Sequence, residues 1–161
     1  MLFLLFKVKV TKELYITELN RILAQQIPYY LCEKWDNSGI QIGDNSISIK
    51  KILLALNPSS ETISYAVKNK FQAVLTHHPL LFKEIKSLSS DLWPGKVIFQ
   101  AIKSGISILS LHTNLDKVNW GVSVAIANKL NFPFDKPIIE DGDWGLGVIG
   151  NFTKGKKIGE L

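Results

Sequence analysis

Three short apolar runs that alternate with helix-like segments constrain the fold of this 161-residue chain more than any other feature. Residues 51–57, 71–75 and 106–111 have the composition of buried strands. Helices are predicted between them, from about 60 to 69 and from about 94 to 104. Strands that alternate with helices over short connections are typical of parallel sheets with crossover helices. The sequence therefore predicts an α/β fold with a mixed, mainly parallel sheet.

Further elements are predicted around this core. They are a helix over 14–27 with Thr11 as its N-cap, a short strand around Ile40 and Ile42, a helix over 122–130, and one edge strand over 145–152. The chain is long enough to bury a core without disulfides or metal ions. We expect one α/β domain over 1–161.

Composition narrows the choice of partners. A single cysteine, Cys32, excludes an intramolecular disulfide framework and fits a reducing compartment, so we expect a cytoplasmic protein. The net charge is +5, yet every basic residue except Arg21 is a lysine. Because arginine is the preferred side chain for phosphates and base edges, specific nucleic-acid binding is disfavoured. The apolar stretch 1–6 is far below the roughly 20 residues of a membrane span, so no membrane association is predicted.

All three histidines directly follow two of the predicted strands. His77 and His78 come after the strand 71–75 and before Pro79, which lacks an N–H and ends the strand. Successive strand residues point to opposite faces, so adjacent imidazoles share one site only where the backbone turns. The structural alternative is that one histidine packs inward with a hydrogen bond while the other is solvated.

His112 and Asp116 follow the strand 106–111 in the segment His-Thr-Asn-Leu-Asp. Ligand sites in open α/β sheets form beyond the carboxyl ends of the strands, so these residues are expected to meet the histidine pair. Imidazole and carboxylate groups together suit Zn, Mn, Fe or Ni. The alternative is that Asp116 caps the next helix and His112 is a hydrogen-bonded core residue. The paired segments favour a metal site with one or two ions.

The segment Trp35–Gly39, Trp-Asp-Asn-Ser-Gly, is typical of a turn. The alternative is a substrate-facing loop near the metal, in which Asp36 or Asn37 binds polar groups. Lys83 and Lys86 are candidates either for a phosphate contact or for a solvated face. The sequence contains no phosphate-binding glycine loop, dinucleotide fingerprint or nucleophile elbow, so NTPase, dinucleotide-dependent and serine-hydrolase functions lack support.

In this order, the segments resemble the Nif-three-like (YbgI-type) dinuclear-metal family, whose members often carry the name GTP cyclohydrolase I type two homologue. The resemblance rests on residues 35–43, 76–82 and 112–116, with Gly121 after the last motif. Residues 145–161 loosely echo the glycine-rich stretch after the family's first α/β unit. The resemblance covers essentially the whole chain, and the two histidine motifs are its most specific part.

The resemblance implies a divalent-metal-binding protein that acts as a metal-dependent hydrolase. It implies that His77, His78 and Asp116 are metal ligands. It also implies that His112 is a further ligand or the catalytic proton-transfer group. Complete members typically hold two divalent ions per subunit and form ring-shaped homohexamers. The substrate would be a small molecule, and nothing in these residues reads a guanine.

The sequence departs from the family pattern in two places. Asn57 follows the first strand, where the family usually has aspartate. The histidine and glutamate that complete the family's metal site lie in a C-terminal portion that 1–161 lacks, and Glu160 belongs to the earlier glycine-rich stretch. We therefore expect an incomplete fragment of a larger two-lobed protein that lacks part of the metal site. An uncovered sheet edge in such a fragment favours self-association.

Three classes of function follow from these observations. The first is a hydrolase in which a divalent ion activates water and His112 transfers protons. The second is a non-enzymatic metal-binding protein with an interaction or regulatory role, favoured by the lack of a nucleophile and of an arginine clamp. The third is a basic nucleic-acid-binding domain, which predicts steeply salt-dependent binding and ranks last.

Overall fold

A computed structural model describes residues 13–155, 157 and 159. The α-helices and β-strands in this part of the chain are α1 (Ile16–Gln26), β1 (Gly39–Ile42), β2 (Ile52–Ala55), α2 (Ser60–Lys68), β3 (Ala73–Thr76), α3 (Gly95–Lys103), β4 (Ser107–Ser110), α4 (Thr113–Lys117), α5 (Val122–Lys129), β5 (Ile139–Asp141) and β6 (Trp144–Leu146). A short 3-10 helix spans Tyr29–Leu31. The predicted N-cap, Thr11, lies outside the described residues. Within them, no helix has the length and apolar character needed to cross a bilayer.

The main sheet has four strands in the order β1-β4-β3-β2. β2, β3 and β4 run parallel, whereas β1 pairs antiparallel with β4 and places Gly39 opposite Ser110. The predicted mixed, mainly parallel sheet is therefore confirmed. The carboxyl ends of the parallel strands meet at one edge of the sheet. Because β1 runs the other way, the residues that precede it lie at that same edge.

The crossover helices begin and end where local chemistry predicts. Ser59 is the N-cap of α2, and its hydroxyl accepts a hydrogen bond from the Thr62 N–H at 3.2 Å. In the first turn, the backbone N–H of Glu61 and the Ser59 hydroxyl hold the pKa of the Glu61 carboxyl below its usual value. Gly105 follows α3 with φ +64°, a left-handed conformation that costs glycine little.

One apolar core holds the parallel strands in place. Leu53, Val74 and Ile108 lie on β2, β3 and β4, and each is fully buried. They belong to a cluster that includes Ile63 from α2 and Val97 from α3. Burying a side chain of this size contributes about 1.5–3 kcal/mol, so each strand is firmly fixed. The strand ends that carry the polar residues are consequently rigid platforms.

The chain packs as two compact units, Met1–His112 and Thr113–Leu161. The second unit contains α4, α5 and a two-stranded antiparallel sheet of β5 and β6. The predicted single edge strand over 145–152 is wrong, because the strand is Trp144–Leu146 and pairs with β5 in a hairpin. Gly142 at φ +60° lets the chain reverse in the turn. The expectation of one domain, part of a larger two-lobed protein, stays a prediction.

Candidate metal centre

The structure brings His77, His78 and His112 together. One ligand atom from each imidazole lies within 4.8 Å of the others, close enough for all three to contact one ion. The ring centroids are 5.0 Å apart for His77 and His78, 5.3 Å for His77 and His112, and 5.7 Å for His78 and His112. His77 and His112 are half-buried, whereas His78 is exposed. Convergence of β3 and β4 at their carboxyl ends produces this cluster.

The backbone after β3 places two consecutive histidines on one site. The N–H groups of His77 and His78 donate to the carbonyls of Ala55 and Leu56 at 3.2 and 3.0 Å, which continues the pairing with β2 past its end. The Thr76 hydroxyl then donates to the His78 carbonyl at 2.8 Å and closes a turn before Pro79. This turn breaks the alternation of a strand, so both imidazoles reach the same pocket.

Hydrogen bonds to Nδ1 orient the histidine pair. His77 Nδ1 lies 3.0 Å from the Leu111 carbonyl, and His78 Nδ1 lies 2.6 Å from Asn57 Oδ1. Both oxygens are acceptors, so each Nδ1 carries the proton and the neutral ring has its lone pair on Nε2. Metal-ligating histidines show this pattern, in which one ring nitrogen donates to an oxygen and the other faces the ion.

Hydrogen bonds with the segment that contains Asp36 hold His112 in place. The Asp36 side chain is fully buried, and its Oδ1 accepts from His112 Nδ1 at 2.8 Å and from Asn37 N–H at 2.7 Å. Its Oδ2 accepts from the Ser38 hydroxyl at 3.2 Å, and the His112 N–H donates to that hydroxyl at 3.1 Å. Gly39, with φ +107°, then leads into β1. The turn itself lies over Glu33–Asp36, where the Asp36 N–H donates to the Glu33 carbonyl at 2.9 Å, so the predicted turn segment Trp35–Gly39 is only partly a turn. The same segment positions an imidazole.

Asp116, the predicted carboxylate ligand, belongs to the second unit. It is half-buried on α4, a short helix that the sequence did not indicate, rather than on an irregular loop. Its convergence with the imidazoles stays a prediction. Lys83 and Lys86 lie exposed in the segment after the histidine pair, and a phosphate contact by either is likewise still a prediction.

Sequence reasoning missed the aromatic surroundings of His112. The ring of Trp35 lies 6.2 Å from the His112 ring and 5.9 Å from that of Phe82, centroid to centroid. Phe82 in turn lies 6.2 Å from His112. No local pattern signals these contacts, because the pairing of β1 with β4 joins residues that are 76 positions apart, as in the Asp36–His112 pair.

Comparison with known proteins independently assigns the chain to a family. The model of the family described as Duf34/NIF3 (NGG1p interacting factor 3) matches residues 14–161. The chain belongs to this family. Membership in DUF34/NIF3 confirms the resemblance that the histidine motifs indicated, and the family model spans both compact units.

Two clostridial relatives in the DUF34/NIF3 family carry the name GTP cyclohydrolase 1 type 2 homolog. The protein of Clostridium perfringens is 34% identical over 151 residues, which are 91% of this chain and 57% of that protein. The protein of Clostridium acetobutylicum is 35% identical over 117 residues, which are 73% of this chain and 44% of that protein. The chain thus spans about half the length of these relatives.

Solved structures support the same fold. A Bacillus cereus protein related to NIF3 superposes with a TM-score of 0.72 at 28% identity, over 80% of this chain and 35% of that one. Reduced HcgD from Methanocaldococcus jannaschii superposes with a TM-score of 0.69 at 30% identity, over 81% of this chain and 51% of that one. The NIF3 fold is therefore shared over most of the chain.

Proposed function

We propose that His77, His78 and His112 bind a divalent metal ion and that the complete protein is a metal-dependent hydrolase of a small molecule. One observation carries the proposal, namely three imidazole ligand atoms within 4.8 Å of one another. Three histidines at this spacing match the number of protein ligands in catalytic sites that keep one position open. Asp116 is the proposed carboxylate ligand, and two ions per subunit are proposed for the complete fold.

The donor set fits a borderline divalent ion such as Zn, Mn, Fe or Ni. Neutral imidazole nitrogens are good ligands for these metals. The oxygens that face each Nδ1, from Leu111, Asn57 and Asp36, favour the tautomer that has a lone pair on Nε2. Ligation thus requires no rearrangement of these hydrogen bonds.

The buried Asp36 carboxylate defines the proposed role of His112. It holds the Nδ1 proton of His112, so Nε2 is the atom that binds an ion or accepts a proton. A divalent ion in such a site supplies Lewis-acid chemistry, since it polarises a substrate oxygen and acidifies water. If the Asp116 carboxylate takes the third ligand position, the Nε2 lone pair of His112 stays available and would accept the proton that hydrolysis releases.

The oligomeric state, location and substrate of the complete protein are also proposals. A homohexamer in the cytoplasm follows from the family resemblance. Because relatives carry the name GTP cyclohydrolase 1 type 2 homolog, GTP belongs among the substrates to be tested, although the described site shows no guanine-reading group.

Metal titration of the purified full chain tests the binding proposal. We expect calorimetry with Mn, Zn and Fe to show stoichiometric binding that the His77→Ala/His78→Ala double variant loses. Asp91→Asn, which changes an exposed acid outside the cluster, is the matched control and should bind like the wild type. Equal binding by the double variant would contradict the proposal.

Turnover separates the hydrolase from a non-enzymatic metal-binding regulator. The metal-loaded complete protein, for which hydrolysis is proposed, and its His77→Ala/His78→Ala variant are incubated with GTP, other nucleotides and phosphoesters, and the products are quantified. The hydrolase proposal expects product above the level of the double variant. Stoichiometric metal without turnover would instead favour the regulatory role.

A further inference from the structure

Two large aromatic side chains stand exposed next to the histidine cluster. Trp35 is 60% exposed and Phe82 is 44% exposed, although each ring contacts the other and His112. The planes of Trp35 and Phe82 are inclined by 71°, and that of His112 is inclined to them by 74° and 89°. Trp35 and Phe82, which we call the aromatic corner, therefore form two open walls beside His112.

Amide hydrogen bonds connect the loop that carries Trp35 with the segment that carries Phe82. The Gln41 side chain is almost fully buried, and its Nε2 donates to the Asn37 carbonyl at 2.8 Å while its Oε1 accepts from the Leu81 N–H at 3.0 Å. The Asn37 side-chain amide also donates to the Leu81 carbonyl. These bonds tie the loop that carries Trp35 to the segment that carries Phe82. The corner is thus fixed before any ligand arrives, which lowers the entropic cost of binding.

Packing around His112 does not account for the corner. The Asp36 carboxylate and the Ser38 hydroxyl already hold the imidazole and the backbone of His112. Single exposed aromatics are ordinary, but an adjacent pair held in place by amide hydrogen bonds leaves a fixed apolar surface in water. A ligand that covers such a surface removes apolar area from water, which is favourable.

We infer that the aromatic corner binds a planar heteroaromatic ring of the substrate beside His112. The reason is the geometry of the rings. Aromatic pairs prefer offset-stacked or edge-to-face contacts, because the ring face is electron-rich and the edge is electron-poor. A flat ligand ring that stacks on one wall presents its edge to the other and makes both contacts at once. An aliphatic group would bind only through the apolar area that it buries, without these ring contacts.

This inference rests on the proposed function only in taking the ring as part of the substrate, so ring binding is measured without metal. The full chain is treated with EDTA and titrated with guanosine, adenosine and nicotinamide, with ribose as the ring-free probe. Binding is followed by saturation-transfer NMR and the dissociation constants by calorimetry. We expect the aromatic probes to bind and ribose not to bind.

Leucine variants test whether the ring faces are responsible. Removing one stacking partner typically weakens base binding roughly tenfold, so Trp35→Leu and Phe82→Leu should each raise the dissociation constant by about that factor. Trp35→Phe keeps a ring and should restore most of the affinity. Phe99→Leu removes a ring of similar exposure from α3, where it contacts the Lys103 ammonium, and should leave binding unchanged. Thermal melts establish that each variant is folded.

Several outcomes would overturn the inference. They are no binding of any aromatic probe to the wild type, equal binding by Trp35→Leu and Phe82→Leu, and an equal loss in Phe99→Leu. Absent probe binding together with a changed sedimentation coefficient in the leucine variants would assign the corner to a protein contact instead. Ring binding that persists in a chain unable to bind metal would contradict the proposed metal site alone.

Discussion

The strand-end region of the first unit and the hairpin of the second unit differ in how firmly their side chains are held. Every residue of β4 is buried, whereas every residue of β5 is exposed. The first unit presents His112 and the histidine pair from the ends of buried strands. The second unit carries Asp116 on a helix of five residues. The packed core fixes the direction of side chains at the ends of buried strands. Side chains on exposed elements are not fixed in this way.

Core residues show the same contrast. Among the described residues, the buried hydrophobic side chains of the second unit are Val118 and Ala127, whereas the first unit contributes all the others, with Leu53, Val74 and Ile108 among them. Large apolar side chains are exposed in both units. Apolar surface of this kind is covered in many proteins by further chain or by a partner. The first unit therefore holds its site residues in place with its own core. The side chains of the second unit have less core to fix them.

The largest expected effect comes from the core of the first unit. Ile108→Ala removes a fully buried side chain beneath the site and should lower the free energy of unfolding by about 3 kcal/mol. Ile139→Ala removes a 60% exposed side chain from β5 and should change it by less than about 0.5 kcal/mol. Urea denaturation followed by circular dichroism measures both. Similar losses for the two variants would break the contrast between the units.

Two isosteric substitutions compare the acids of the two units. Asp36→Asn weakens the hold on His112, and removing such a supporting carboxylate lowers metal affinity about 10- to 100-fold. Asp116→Asn should cost at least as much if the carboxylate is a direct ligand, as proposed. Calorimetric titration with Mn or Zn gives both values. Unchanged affinity in Asp116→Asn would remove the second unit from the metal site.

A gain of affinity is expected at Asn57. Its amide oxygen accepts from His78 Nδ1 at 2.6 Å, and a carboxylate in that place raises the basicity of the imidazole more than an amide does. Asn57→Asp should therefore strengthen metal binding about tenfold, whereas Asn57→Ala should weaken it. Metal competition against a chromophoric chelator measures the difference. Equal affinities in all three proteins would show that this hydrogen bond does not tune the site.

The smallest expected effect is a pH dependence confined to the first unit, which contains all the tyrosines. Burial, with the nearby Cys32 as a second cause, raises the pKa of Tyr29 from 10.0 to about 12. The folded state therefore favours the neutral phenol, so this stabilisation is present below pH 10 and is lost as the pH rises towards about 12. Solvent reaches the half-buried ring and reduces the effect.

Absorbance at the phenolate band checks this prediction. The wild type should show a tyrosine titration phase near pH 12, and Tyr29→Phe should remove that phase. A Tyr29→Phe protein with the same late phase would assign the raised pKa to another residue.

Much of the first unit was predictable because its signals are local. β2 and β4 lie within the apolar runs 51–57 and 106–111, and β3 begins within the run 71–75 and extends one residue past it to Thr76. The helices α2 and α3 lie within the ranges predicted for them, about 60–69 and 94–104. The hairpin of the second unit was misread as one strand, because β5 lacks the alternation of a half-buried strand and all its residues are exposed. The short helix α4 carried too few residues for a periodic signal.

The amino-acid sequence by itself determined the class of fold, the family and the likeness of three histidines to metal ligands, because strand patterns and paired motifs are written in neighbouring residues. Only the tertiary structure decided that Asp36 holds His112 and that Trp35 and Phe82 stand beside it. The physical reason is the antiparallel pairing of β1 with β4, which brings a distant turn to the carboxyl ends of the parallel strands.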